Sequence, residues 1–411
     1  MALKEDIQAV ISGEVEDSVA QREKHSKDWS IFKVMPQLVV FPKDAEDIKS
    51  LVSFVNSEKG KGVTLTGRSG GSDMTGGPLS TAVVVDFTKH MNTIGKFGED
   101  SAVVQPGTFY RDFEKESLKK NLLLPSYPAS KNICAIGGIV GNNSGGEKSL
   151  VYGKTAEYVK QLKVVLSDGN EYVLKPLSEL ELAEKMALKT FEGDIYRKTF
   201  ELVDKNYDLL KEAEPKVSKN SAGYALWDVW DKKTFDLTRL FTGSQGTLGL
   251  TTEVKFKMVV PKKHTALLVI FLKDIRKLAA VTERILEKKP ESFESYDDKT
   301  VQLAIRFLPS FIKILGAKNI FTLGLRFFPE ALMVLTGGVP KLVLLAEFTG
   351  DTEEEAKALA MDAQKHMKGM GLKMRCTRDE KEVDKYFAVR RESFKLLHSK
   401  VKGLEAASFI E

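Results

Sequence analysis

Apolar and polar positions along the chain switch between a period of two and a period of about 3.6. From Gln37 the run Q-L-V-V-F-P reads as a short buried strand stopped by Pro42. Behind Asp44, Ile48, Leu51, Val52 and Val55 recur at helical spacing, which predicts a capped amphipathic helix. Gly62–Thr66 is a second strand, so strand, helix and strand form a βαβ unit and imply a parallel sheet. Strands follow at Ala82–Phe87 and Ser101–Gly107, then a helix from Tyr110 to Lys120. Val159–Leu174 reads as a hairpin turned at Asp168-Gly169. Residues 177–213 are charged and helical, and Arg239–Lys257 ends in an alternating strand. Thr265–Leu272 and Lys341–Gly350 are strands, each followed by a helix. The second helix opens on D-T-E-E-E-A, acidic residues that suit the positive end of its dipole. Asp384–His398 is a last amphipathic helix, and residues 1–33 read as a helical lead-in. A break at Pro261, with two lysines beside it, separates residues 34–262 from a second α+β domain over 263–411.

Composition narrows the class. The chain has 411 residues, 42% hydrophobic and 29% charged, as an ordinary globular protein of two or three domains does. A formal net charge of +5 without Lys/Arg runs gives no case for a nucleic-acid partner. Cys134 and Cys376 form neither a disulfide framework nor a metal-ligand spacing, which fits a reducing, cytoplasmic setting. The first residues carry acidic side chains and no apolar signal-peptide core. The stretch Leu303–Pro340 is the greasiest, but Arg306, Lys313, Lys318, Arg326 and Glu330 interrupt it, the last four within Phe307–Pro340. Its expected role is packing, with a peripheral membrane contact as the alternative.

The candidate chemistry lies in three Gly-rich segments. Five of the ten residues from Gly137 to Gly146 are glycine, and Ile136, Ile139 and Val140 are threaded among them. Gly67–Gly77, G-R-S-G-G-S-D-M-T-G-G, continues directly from a strand; Gly243, Gly246 and Gly249 surround Ser244 and Thr247 ahead of another. None satisfies G-x-G-x-x-G or the P-loop pattern. Backbone N–H groups free of side chains suit a pyrophosphate or a flat heterocycle, and only an extended ligand touches three such segments.

These motifs resemble those of the FAD-linked oxidases of the vanillyl-alcohol oxidase and p-cresol methylhydroxylase type, above all the branch of the glycolate-oxidase D-subunit and D-lactate dehydrogenase. The first loop resembles R-G-G-G-T-S/D-x-T-G-G. I-G-G-I-V-G-N-N-S-G-G with Y-G after it resembles I-G-G-N-x-A-x-N-A/S-G-G and Y-G. G-S-Q-G-T-L-G-L-T-T-E resembles G-S-E-G-T-L-G-I-I-T-E. The resemblance implies an α+β fold: a two-part FAD-binding domain of the p-cresol methylhydroxylase type over 34–262, then an incomplete cap or substrate domain. It places Arg68, Ser69, Gly70, Gly71, Ser72, Asp73 and Thr75 at the pyrophosphate. Pro125, Ser130, Ala135, Gly137, Gly138, Asn142, Ser144 and Gly145 would follow the cofactor toward the isoalloxazine, and Gly246, Thr247 and Leu250 would lie on its adenine or ribitol side. Some relatives tether the flavin through a histidine where this chain has Ser72, so FAD is expected to be non-covalent.

The resemblance further implies oxidation of a small D-2-hydroxy acid such as D-lactate or glycolate, with a quinone, a cytochrome or a partner subunit taking the electrons. Arg390 matches the arginine that contacts the substrate carboxylate in relatives, and a surface arginine is the competing reading. The relatives' H-x-G-D-G-N-x-H motif has no counterpart, and none of His25, His90, His264, His366 and His398 stands in metal-ligand spacing. No metal and no general base are therefore expected from these residues. Two alternatives follow: an FAD-binding subunit or remnant that acts only with a partner, or a relative acting on an alcohol or an ether-lipid precursor.

Overall fold

The computed structural model describes residues 2–217, 219–306 and 339–400. They fall into two compact units, one within Met1–Gly146 and Tyr152–Val260, the other within Glu147–Val151 and Pro261–Ala406. The architecture is α+β.

In the first unit, the strands Glu14–Glu16, Leu38–Phe41, Val83–Asp86 and Leu65–Arg68 lie side by side in that order. The last three are mutually parallel. Val39, Val40, Val83, Val84 and Val85 are fully buried, as expected of strands covered on both faces. The helix Ala45–Val55 is capped by Asp44, whose side chain accepts from the Asp47 backbone N–H at 3.1 Å. The βαβ unit therefore forms, but Val83–Asp86 lies between its two strands. The second strand runs over Leu65–Arg68, later than the reading of Gly62–Thr66.

The lead-in is not wholly helical. Glu14–Glu16 pairs antiparallel with Leu38–Phe41. Asp47 is the cause. Its buried carboxylate accepts from Ser12 N at 2.7 Å, Ser12 Oγ at 3.0 Å, Gly13 N at 2.9 Å and Lys43 N at 2.8 Å. These bonds draw the chain out flat against the sheet. A side chain at position 13 would meet the Phe41 carbonyl at 2.2 Å, so this approach requires glycine.

The rest of the unit is a five-stranded antiparallel sheet, ordered Ile94–Phe97, Ser101–Val104, Leu250–Lys257, Val159–Val165 and Glu171–Leu174. The hairpin at Asp168-Gly169 forms as the pattern predicts. Leu250, Thr252, Val254 and Phe256 alternate into the interior along the central strand.

The second unit is one antiparallel sheet, ordered Ser292–Asp297, Leu342–Gly350, His264–Leu272 and Lys373–Cys376. Leu268, Ile270, Leu344 and Ala346 pack on one face with Val281 and Ile285 of the helix Leu278–Leu286 and Ala360 and Ala363 of the helix Glu353–His366. Leu267, Val269, Leu345 and Tyr296 pack on the other with Val383, Tyr386 and Phe387 of the helix Glu380–Lys400. Among the described residues no helix is long and apolar enough to cross a membrane. The alternative membrane contact over Phe307–Pro340 falls mainly on 307–338, outside the described residues.

Asp47 gives a test of the first unit. Burial alone would raise its carboxyl, but the hydrogen bonds from Lys43, Ser12 and Gly13 outweigh it and hold the group below the usual carboxylate range. The stabilisation is therefore full above pH ~4, the unfolded value, and is lost as pH falls through the folded value. Asp47→Ala should cost about 3 kcal/mol at pH 7, the order expected for several bonds to one charge. In urea melts at decreasing pH, the gap between wild type and variant should close below pH ~4.

Candidate functional site: three joined glycine-rich segments

The segment at the centre of the sequence opens with a short helix. Ile136–Gly141 is helical because Ile136, Ile139 and Val140 recur at i, i+3 and i+4, and all three are buried. Its glycines lie on the opposite side. Asn143 then takes φ 44°, and its Oδ1 accepts from Ala156 N at 2.9 Å. Ser144 is buried, with its carbonyl accepting from Thr155 N at 2.9 Å and Thr155 Oγ1 at 2.8 Å.

The three segments meet. Gly243 N donates to the Val140 carbonyl at 2.9 Å and Gln245 N to the Gly141 carbonyl at 2.8 Å, which joins the second segment to the third. A Cβ at position 70 would stand 2.6 Å from the Ile133 carbonyl, so the first segment lies flat on the second. Ser69 Oγ and Gly137 N both donate to the Pro106 carbonyl, each at 2.7 Å. Gly77 of the first segment comes near Gln245 of the third, its Cβ direction 3.6 Å from Oε1.

Some glycines in this cluster are packed and others open. A Cβ at position 138 would find only Ser69 Cβ, at 3.9 Å, and one at position 141 only Gln245 Cα, at 3.8 Å. At Gly246, with φ +75°, nothing lies within 4 Å. Across Gly70, Gly71 and Ser72, no backbone N–H donates to an acceptor among the described residues. This is a surface of bare backbone with donors available, suited to an anion and a flat ring.

The carried-over residues divide accordingly. Gly138 and Gly246 sit at the open part of the cluster, whereas Gly70 and Gly71 are closely packed on their Cβ sides and Ser72 is half-buried beside them. Asp73 works within its own loop: Oδ2 accepts from Thr75 N at 3.0 Å, Thr75 Oγ1 at 2.8 Å and Gly77 N at 2.8 Å. Thr247 Oγ1 donates to the Ser244 carbonyl at 2.6 Å. Pro125, Ala135 and Gly145 are buried, Ser130 accepts at its carbonyl from Ile133 N and Cys134 N, and Asn142 ends the short helix. Leu250 packs in the core with Val83 and Val85.

Arg68 is buried beneath the first loop. Its Nη2 donates to the Lys27 carbonyl at 2.8 Å and its Nη1 to that of His25 at 3.5 Å, and the guanidinium fills the space beside Gly71. His25 is buried too, its Nε2 2.8 Å from Asp86 Oδ2. Burial would raise the Asp86 carboxyl, but the bonds from His25 and Thr88 pull it below its ordinary value. This His–Asp–Arg group shapes the loop from below and was not legible as a unit, since His25 is more than forty residues from both Arg68 and Asp86.

In the second unit, Arg390 pairs through Nη2 with Glu294, and its Nε is buried with no hydrogen-bond partner among the described residues. A second cluster there went unread in the sequence. Lys148 pairs with Glu291 and lies 3.5 Å from Glu347; Glu347 also accepts from Ser292 Oγ at 2.6 Å. Glu147 is held by Arg391, with Nε to Oε2 at 3.0 Å. Burial raises the Glu347 carboxyl, while the two glutamates raise the Lys148 ammonium against the opposing effect of its burial. Three carboxylates thus share two cations. The signal that could have found the cluster is Glu347, a charged residue within an otherwise apolar strand.

Residues 36–175 match the family described as FAD binding domain, and residues 261–411 match FAD linked oxidases, C-terminal domain. The chain is 27% identical over 297 residues to D-2-hydroxyglutarate dehydrogenase of Pseudomonas putida, covering 72% of this chain and 30% of that protein. It is 30% identical over 293 residues to glycolate oxidase subunit GlcD of Bacillus subtilis, covering 70% and 51%. The chain therefore spans about a third to a half of the length of these relatives. Among solved structures, alkyldihydroxyacetonephosphate synthase superposes with a TM-score of 0.63 at 17% identity, over 92% of this chain and 60% of that one. Substrate-bound p-cresol methylhydroxylase gives 0.62 at 16%, over 95% and 68%. These two likenesses show the fold.

The Lys148 cluster makes a stability prediction. Lys148→Met leaves Glu291 and Glu347 buried without their cation and should cost about 3–5 kcal/mol. Adding Glu347→Gln removes one of the two stranded charges and should recover part of the loss, so that a double-mutant cycle in guanidinium melts shows strong coupling.

Proposed function

We propose that this chain, which belongs to the FAD-linked oxidases through both of its matched domains, binds FAD without a covalent bond and oxidises a small D-2-hydroxy acid. The observation that carries the reading is the union of three distant glycine segments into one surface of bare backbone. When bound, FAD supplies the hydride acceptor. The N–H groups of Gly70, Gly71 and Ser72 are available for the pyrophosphate, a role that needs donors rather than the Arg68 charge, which is spent on carbonyls. The open glycines Gly138 and Gly246 admit the flat parts of the cofactor. Ser72 offers no nucleophilic ring nitrogen, which favours non-covalent binding. Arg390, fixed on one side by Glu294 and with Nε still to donate, is suited to the substrate carboxylate. The relatives named for D-2-hydroxyglutarate and glycolate support an acid of this class.

A second reading, an FAD-binding subunit that acts only with a partner, is supported by the likeness to a relative named as a subunit, glycolate oxidase subunit GlcD. Anaerobic titration separates the two. Flavin absorbance bleached by D-2-hydroxyglutarate, D-lactate or glycolate supports the first reading. Bound flavin that none of these acids bleaches supports the second, and a protein that takes up no FAD defeats both. In the first case Arg390→Met should raise KM for the acid about tenfold or more, the loss of a charge-assisted bond, while leaving the flavin spectrum unchanged.

A further inference from the structure

The segment Asn220–Tyr224 has no regular structure, yet it is fastened across two of the glycine segments. Lys154 Nζ donates to the Asn220 carbonyl at 2.6 Å. Ser221 Oγ donates to the carbonyl of Asn143, at the end of the second segment, at 3.0 Å. Tyr224 Oη lies 2.7 Å from Oγ1 of Thr247 in the third. Thr247 spends its own proton on Ser244, so Tyr224 is the donor of that pair. Gly223 turns the chain with φ +70° and no packing around it, which sets the following tyrosine back toward the loops.

Tyr224 is held by its hydroxyl while its residue surface is 44% exposed. An aromatic side chain tethered at its tip, on a residue left nearly half exposed, has room to take a stacking partner. The residue beside its anchor is Gly246, where nothing lies within 4 Å of the Cβ direction. The arrangement joins an open glycine and a partly exposed, tethered aromatic residue at the same turn.

We propose that Asn220–Tyr224 is a strap over the cofactor site, and that the Tyr224 ring stacks on an aromatic ring of the dinucleotide lying against Gly246. This deepens the FAD reading and rests on it. Ser221 and Thr247 are positioning residues: they hold the strap at its two ends, and Tyr224 makes the contact. Every base and flavin ring has a π-face, so stacking of this kind serves affinity rather than discrimination.

The test measures FAD binding directly. The full chain is stripped of flavin and titrated with FAD, following flavin fluorescence, for wild type, Tyr224→Ala, Tyr224→Phe and Ser221→Ala. Tyr224→Ala should weaken binding about tenfold or more, the loss of one stacked ring. Tyr224→Phe, which keeps the ring and loses the tether, and Ser221→Ala should weaken it by only about two- to tenfold. The apoproteins should melt together. Titration with ADP locates the ring: weakening for both ligands assigns adenine, and weakening for FAD alone assigns the isoalloxazine. Variants that bind FAD as wild type does overturn the strap and leave the FAD reading intact. Wild type that binds no FAD overturns that reading and the strap with it. A Tyr224→Ala apoprotein that melts well below wild type, with the other two variants binding normally, makes Tyr224 a packing residue and overturns the proposal.

Discussion

Two backbone hydrogen bonds carry the candidate site: Gly243 to Val140 and Gln245 to Gly141. Each joins residues about a hundred positions apart. Neither depends on a side chain, so both survive any substitution that keeps the backbone in place. The constraint is conformational. Gly243 turns at φ +95° and Gln245 at φ +53°, so that successive N–H groups reach the end of the short helix. Glutamine at a left-handed position is strained relative to glycine, and such strain persists where surrounding structure enforces it. Here the enforcing structure is the strand Leu250–Lys257, which begins a few residues on and is fixed in the sheet on both sides.

The fold was legible wherever one element carried its own signal. Two of the three parallel strands announced themselves as unbroken apolar runs, the hairpin by Asp-Gly, and the helix Glu353–His366 by its acidic start. Where the reading missed, either a distant partner or burial overriding local propensity decided the outcome. The strand Glu14–Glu16 exists because Asp47 collects the amides of Ser12 and Gly13, and no local pattern shows that. The helix Ile136–Gly141 was masked by its glycines, whose poor propensity is overridden by three buried branched side chains.

The site was legible as motifs but not as geometry. Arg68 stands first in the loop motif, and its charge reads as a phosphate partner. In the fold it reaches down to two carbonyls, and burial lowers its basicity despite Asp86 and Asp28 nearby. The loop's N–H groups, which carry no signal in one-letter code beyond the glycines themselves, are what is left facing outward. The polar residues of the second unit follow the same rule: Ser292 and Glu294 look like ordinary strand residues until the sheet register puts Ser292 opposite Glu347.

The five residues Glu147–Val151 belong to the second unit although their neighbours on both sides belong to the first. Recombination between genes cannot therefore move the second unit as one block. A cassette beginning at Pro261 would arrive with Glu291 and Glu347 facing each other and no lysine between them, and with Arg391 missing Glu147. The donor's stretch and its pair of glutamates form one inheritance split across the chain. Lineages that exchange the second unit must either carry the short insert along or change both halves of the cluster together.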